Sequence, residues 1–203
     1  QGPDGESLRA GLRESFDAAL IDEFQDTDPV QFKIFSKLFG EEKSHWLFLI
    51  GDPKQSIYRF RGADLEAYFD FAEKSNAMKY SLDTNFRATT PLVKSVNAFF
   101  AESEEPFLHP ELPFFPVNPN PGGKADKSKT FTEGGEKGSA FVIREMEWNK
   151  EKKPDKTLAR ASIQADMANE IHRLLNEARV GENRVRPKDI AILVRSNPQA
   201  LNI

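Results

Sequence analysis

Residues 21–29 read IDEFQDTDP and residues 51–64 read GDPKQSIYRFRGAD, and the fold follows from what surrounds these two strings. The first closes an apolar run, DAALIDEF at 17–24, in two acids, as a buried parallel strand does where it reaches the carboxyl edge of its sheet. A helix comes next. Asp28 can cap it, Pro29 takes its first position and Gln31 completes a capping box, while Val30, Ile34, Phe35, Leu38 and Phe39 form an apolar face that Gly40 ends. A second apolar run, WLFLI at 46–50, leads into Gly51-Asp52-Pro53. Two strands roughly thirty residues apart with a helix between them make a βαβ unit. Asp22-Glu23 and Gly51-Asp52 then share one carboxyl edge of a parallel sheet, where open α/β sheets bind ligands.

Outward from this unit, the spacing predicts a helix over 64–74 with Leu65, Tyr68, Phe69 and Ala72 facing inward, a strand over 79–83, and a helix from Thr90-Pro91 to Phe100. The composition then changes. Six prolines stand between Pro106 and Pro121, and glycines at 122, 123, 134, 135 and 138 follow, so 102–138 reads as a loop or linker. Beyond it the pattern predicts a strand over 140–148, a helix over 157–179 and a strand at 189–195, DIAILVR. Leu158, Ala161, Ala165, Ala168, Ile171, Leu175 and Ala178 make one stripe on that helix and read as core. The expected class is α/β, divided into 1–80, 81–101, the loop 102–138, and 139–203.

With 28 Lys+Arg against 32 Asp+Glu in 203 residues, the net charge of −4 excludes binding of nucleic acid by bulk positive charge, so any such contact is local. A chain this long buries roughly 70% of its unfolded surface as one globule and folds without staples. The absence of cysteine excludes a disulfide scaffold, a thiol nucleophile and a Cys-containing zinc site. His45, His109 and His172 share no ligand spacing, so no structural metal is expected. No apolar run reaches the ~20 residues of a membrane span, residues 1–10 lack the layout of a signal peptide, and a cytosolic protein is expected.

An acid pair at a strand end suits phosphate-ester chemistry, because one carboxylate can hold magnesium while the other orients and deprotonates water. Tyr58-Arg59-Phe60-Arg61 alternates aromatic and basic groups, the mixture that stacks on bases and holds phosphates of single-stranded DNA without reading sequence. The run KADKSK at 124–129 reads as a solvated loop.

Taken together, the chain resembles the superfamily 1 DNA helicases of the UvrD/Rep group, and within it the RecB family of exodeoxyribonuclease V subunits, with the AddA family as nearest competitor. IDEFQDTDP is similar to the DExx-type Walker B motif, GDPKQSIYRFRGAD to the third motif, and LDTNFR at 82–87 to the fourth, in the family's order. DIAILVR is similar to a strand of the second motor domain. The resemblance implies parts of two RecA-like P-loop NTPase domains with parallel sheets, meeting at 81–101. It assigns Asp22 to magnesium and Glu23 to the general base of ATP hydrolysis. Gln55 becomes the sensor of the γ-phosphate, Arg87 a second contact to it, and Phe86 the platform under adenine, where the family often has Tyr. Tyr58, Phe60 and Arg61 become DNA contacts, with Phe60 standing where relatives commonly have Trp. Asp52 and Lys54 receive no role.

The same resemblance implies ATP and Mg2+ as cofactors, DNA ends and RecC- and RecD-like subunits as partners, 3′ to 5′ movement in double-strand-break repair, and a bacterial, nucleoid-associated setting. The P-loop pattern G-x-x-x-x-G-K-[ST] does not occur in the sequence, and Gly123-Lys124 is followed by Ala125, so the chain reads as an internal excerpt without activity of its own. A UvrD-type fragment and a non-catalytic module that binds DNA or a partner are the rival readings.

In the longer polypeptide implied, Phe60→Ala weakens single-stranded DNA binding by about 1–3 kcal/mol, the worth of one base stacked on a ring. Phe60→Trp is tolerated. Titration of a labelled oligonucleotide measures both, and equal loss in the two variants together with unfolding would mark Phe60 as core.

Overall fold

The computed structural model describes residues 3–40, 44–56, 65, 66, 68, 69, 78–121, 129–146 and 155–201. The chain divides into two compact units, Gln1–Ser81 with Glu104–Phe114, and Leu82–Ser103 with Phe115–Ile203, each taken here by itself. The expected DNA contacts Tyr58, Phe60 and Arg61 lie outside the described residues. Of the expected helix at 64–74, Leu65, Glu66, Tyr68 and Phe69 are helical, and the rest lies outside them.

The first unit opens with a helix the sequence reading did not expect, α1 (Pro3–Ser15). Its Arg13 side chain donates to the carbonyls of Leu38 and Lys37, and the His45 ring meets the Arg13 carbonyl at 3.1 Å. Strands β1 (Ala18–Ile21) and β2 (Trp46–Leu49) pair in parallel, Ala18 opposite Trp46 and Ile21 opposite Leu49. Between them lies α2 (Pro29–Phe35), extended by a wide turn over Ser36–Gly40. The expected cap is present in full. Asp28 Oδ1 accepts from the amides of Val30 and Gln31 at 2.7 and 2.9 Å, and Gln31 Oε1 accepts from the Asp28 amide at 3.3 Å.

Two expectations here need correction. The apolar face of α2 does not include Val30 and Ile34, which are exposed; Phe32 turns inward instead, because its ring packs edge-on against Phe24 at 5.8 Å. The strands are not buried on both faces either. Leu20, Trp46 and Phe48 are exposed while Ile21, Leu47 and Leu49 are half-buried, the alternation of a two-stranded sheet covered on one side.

In the second unit β3 (Thr84–Asn85) pairs in parallel with β4 (Asn118–Pro119), so the expected strand at 79–83 falls a few residues later. Helix α3 (Thr90–Ala101) lies where its Thr-Pro start predicts, and its Asn97 side chain satisfies both the amide and the carbonyl of Val117 beside β4. The stretch expected as loop also contains β5 (Phe131–Glu133) and β6 (Glu136–Lys137), joined through Gly134 and Gly135 at φ 55° and 89°. Positive φ at both central residues is what a type I′ hairpin turn requires. Strands β7 (Ala178–Val180) and β8 (Asn183–Arg184) complete an antiparallel sheet in the order β6-β5-β7-β8. Among the described residues of this unit, parallel pairing is found between β3 and β4, and the larger sheet is antiparallel.

Helix α4 (Lys156–Glu177) starts on an Asp155 cap, but no residue along it is buried. Of the expected stripe, Leu158 (70% exposed), Ala161, Ala165 and Ala168 are exposed and Ile171 and Leu175 half-buried, while Ala178, just past the end of the helix, is buried, so the reading as core holds for Ala178 alone. The helix is held by charge instead: Arg144 pairs with Asp166 and Glu170, and Arg173 with Glu170 and Glu133 of β5. These ion pairs anchor the segment 140–146, which has no strand pairing. The run at 190–194 also forms no ladder, and Leu193 is 99% exposed. Short α5 (Asn197–Leu201) follows. No helix among the described residues is long and apolar enough to cross a membrane.

Candidate functional site

Beyond the last paired residues the two strands remain in step, with the Ile50 amide donating to the Ile21 carbonyl and the Phe24 amide to the Ile50 carbonyl, both at 2.9 Å. Both chains then turn at the same level. At the first turn Glu23 adopts φ 50° and ψ 41°, the left-handed conformation that a non-glycine residue rarely takes, and a single 3-10 turn over Phe24–Asp26 follows. Phe24 pins this turn by burying its ring between Phe32 and Tyr68, the latter at 5.5 Å. Asp22 and Glu23 are left exposed at the strand end, and the Glu23 amide donates to Asp22 Oδ1 at 2.9 Å.

The second turn runs through Gly51 and Asp52 into a 3-10 turn over Pro53–Gln55. Asp52 organises it. Its carboxylate accepts from the Lys54 amide, from Lys54 Nζ at 2.7 Å and from Gln55 Nε2 at 3.1 Å. Partial burial pushes this carboxyl up, but the hydrogen bonds from Lys54 and Gln55 and the Lys54 charge outweigh it, so the net displacement is downward. Burial, with the Asp52 charge, raises the Tyr68 phenol.

A residue given no role by the sequence reading joins the two turns. Gln25 is 2% exposed; its Nε2 donates to Glu23 Oε2 at 2.7 Å and its Oε1 accepts from the Asp52 amide at 3.0 Å. Ser56 Oγ donates to the Gln25 carbonyl at 3.3 Å. A continuous chain of contacts thus runs from Glu23 through Gln25 and Asp52 to Gln55. Nothing local in the sequence marks this role, because the second partner of the amide is Asp52, 27 positions on.

Asp22, Glu23 and Gln55 all belong to the first unit, in the turns that follow its two paired strands. Phe86 and Arg87 belong to the second, where the Asn85 side chain accepts from the amides of Arg87 and Ala88 at 2.9 and 2.8 Å and fixes the turn that presents them. Phe86 is 69% exposed and so is not a core residue. The Arg87 carbonyl accepts from Lys129 Nζ at 2.9 Å.

Residues 3–76 match the UvrD/REP helicase N-terminal domain. The chain is 37% identical to the RecBCD enzyme subunit RecB of Escherichia coli strain K12 over 98% of its own length and 17% of that protein's. It is likewise 37% identical to the same-named subunit of Buchnera aphidicola from Acyrthosiphon pisum, over 95% of this chain and 17% of the relative. A shorter match to that subunit in Chlamydia muridarum reaches 51% identity over 48% of this chain and 10% of the relative. The chain spans about one-sixth of the length of the first two relatives.

Gly51 is required by this packing. A Cβ there would lie 2.7 Å from Gln25 Oε1, 3.1 Å from the Gln25 amide and 3.2 Å from the Phe24 amide. Since the Gln25 side chain is held at both ends and the other neighbours are backbone, Gly51→Ala destabilises the chain by about 1–3 kcal/mol, the usual cost of overpacking. Urea unfolding measures it, and an unchanged midpoint would show that Gln25 is not seated against Gly51.

Proposed function

For a chain that belongs to the UvrD/REP helicase family and is RecB-like over nearly its whole length, we propose that it is part of an ATP-driven helicase and nuclease subunit. That subunit moves 3′ to 5′ on single-stranded DNA in double-strand-break repair and recombination, in the bacterial cytoplasm, beside RecC- and RecD-like subunits. In this reading the chain carries adjoining parts of two RecA-like motor domains. The observation that carries it is the linked pair of turns: the two strings that resemble helicase motifs start level, where the paired parallel strands end, and hydrogen bonds through Gln25 tie Glu23 to the turn bearing Gln55.

Each residue has work suited to its chemistry. Asp22 suits a magnesium ion, which takes one or two carboxylates and completes its octahedron with phosphate oxygens and water. When bound, the ion neutralises charge developing on the transferred phosphoryl group. Glu23, exposed beside Asp22, orients and deprotonates the attacking water. Gln55 offers a neutral donor that can exchange Asp52 for a phosphate oxygen. In the second unit, Arg87 offers a guanidinium fork suited to a phosphate and Phe86 an exposed ring suited to a base. Tyr58, Phe60 and Arg61 hold single-stranded DNA.

Positioning and electrostatic stabilisation supply nearly all of phosphoryl-transfer catalysis, and no P-loop pattern in this sequence holds the triphosphate. The 203-residue chain alone therefore does not turn over ATP and binds it at or above roughly millimolar, near −4 kcal/mol. The longer polypeptide hydrolyses ATP with single-stranded DNA, and Glu23→Gln abolishes this. Phosphate release checks both statements; turnover by the isolated chain that survives repurification and disappears in Glu23→Gln would refute the excerpt reading.

A further inference from the structure

We infer that Gln25 is the positioning residue for Glu23 and ties the orientation of that carboxylate to the turn that opens at Gly51. The inference rests on the reading of Glu23 as the base, and it gives that site a mechanical link.

Gln25 is nearly inaccessible, yet both ends of its side-chain amide are engaged. Only one orientation of the amide satisfies its partners, since a carboxylate needs a donor and the Asp52 N–H needs an acceptor. The main chain of Gln25 is held as well, through Ser56 Oγ on its carbonyl. The side chain has no freedom toward Gly51, whose missing Cβ is the space that Gln25 Oε1 occupies. Glu23 is the opposite case. Its carboxylate is exposed, and its backbone sits in a sparsely populated conformation that does not by itself select a rotamer. Of the two partners, the buried amide is the fixed one, so it sets the direction of Glu23 Oε2.

The other end of the same amide reads the main chain of Asp52, whose carboxylate holds Gln55 Nε2. A movement of the Gly51–Ser56 turn, such as Gln55 leaving Asp52 for a phosphate oxygen, therefore reaches Glu23 through a single rigid side chain. The base is aligned only when that turn is in place.

The test uses the longer polypeptide and two variants of different character. Gln25→Glu keeps the shape and an oxygen for the Asp52 amide but replaces the donor with a carboxylate facing Glu23. Gln25→Met is neutral, similar in length and makes neither bond. For both, kcat of DNA-stimulated ATP hydrolysis is expected to fall about 100-fold, the effect of a misplacement near 1 Å. KM for ATP and affinity for single-stranded DNA stay at parental values, while the thermal unfolding temperature falls in both variants, because each breaks a hydrogen bond of a buried side chain. Gln25 variants that fold and turn over at the parental rate, while Glu23→Gln abolishes turnover, overturn the inference and leave the function reading standing. A joint loss of kcat, KM and DNA affinity also overturns it, since that marks Gln25 as ordinary packing. Turnover surviving in Glu23→Gln removes the underlying reading itself.

Discussion

Parallel pairing of Ala18–Ile21 with Trp46–Leu49, continued by the exchange between Ile21, Ile50 and Phe24, is the constraint on which the first unit depends. Side chains alternate along a strand, so a slip of one residue would reverse every face and move the two turns out of step. In the observed register the chains leave the sheet at one level. The first does so at a cost, because left-handed backbone at Glu23 is worth about 1–3 kcal/mol of strain. Burial of the Phe24 ring one residue later returns about 1.5–3 kcal/mol. The local strain at the acid pair is thus offset by the aromatic packing that immediately follows it.

Charge is managed differently in the two turns. Asp22 and Glu23 stand exposed, with one backbone amide and one side-chain amide as their partners. Asp52 is satisfied within its own turn by Lys54 and Gln55 and acts as a scaffold. The second unit spends its charge on architecture, where Arg144 and Arg173 hold a helix that has little apolar packing.

How much of this was legible in the sequence depended on whether the signal was local. The Asp28 capping box, the Thr90-Pro91 helix start and the parallel run of the first two strands were readable, because caps and short crossovers act within a few residues. The runs at 140–148 and 189–195 were read as strands, and their described parts form none, because a strand exists only through a neighbour's hydrogen bonds and apolar composition does not supply one. Gly134-Gly135 did carry a hairpin signal that the surrounding prolines and glycines obscured. At the site, the two strings pointed to Asp22, Glu23 and Gln55, whereas the role of Gln25 was not readable, since its side chain reaches Asp52, 27 positions away.

The central claim is that the two turns form one site through the Gln25 amide, and amide hydrogen exchange at Asp52 tests it most directly. This amide is expected to be protected together with those of Phe24 and Ile50, and Gln25→Met to remove protection at Asp52 while leaving it at the other two. An Asp52 amide that exchanges freely in the parent chain, or that keeps its protection in the variant, would contradict the account.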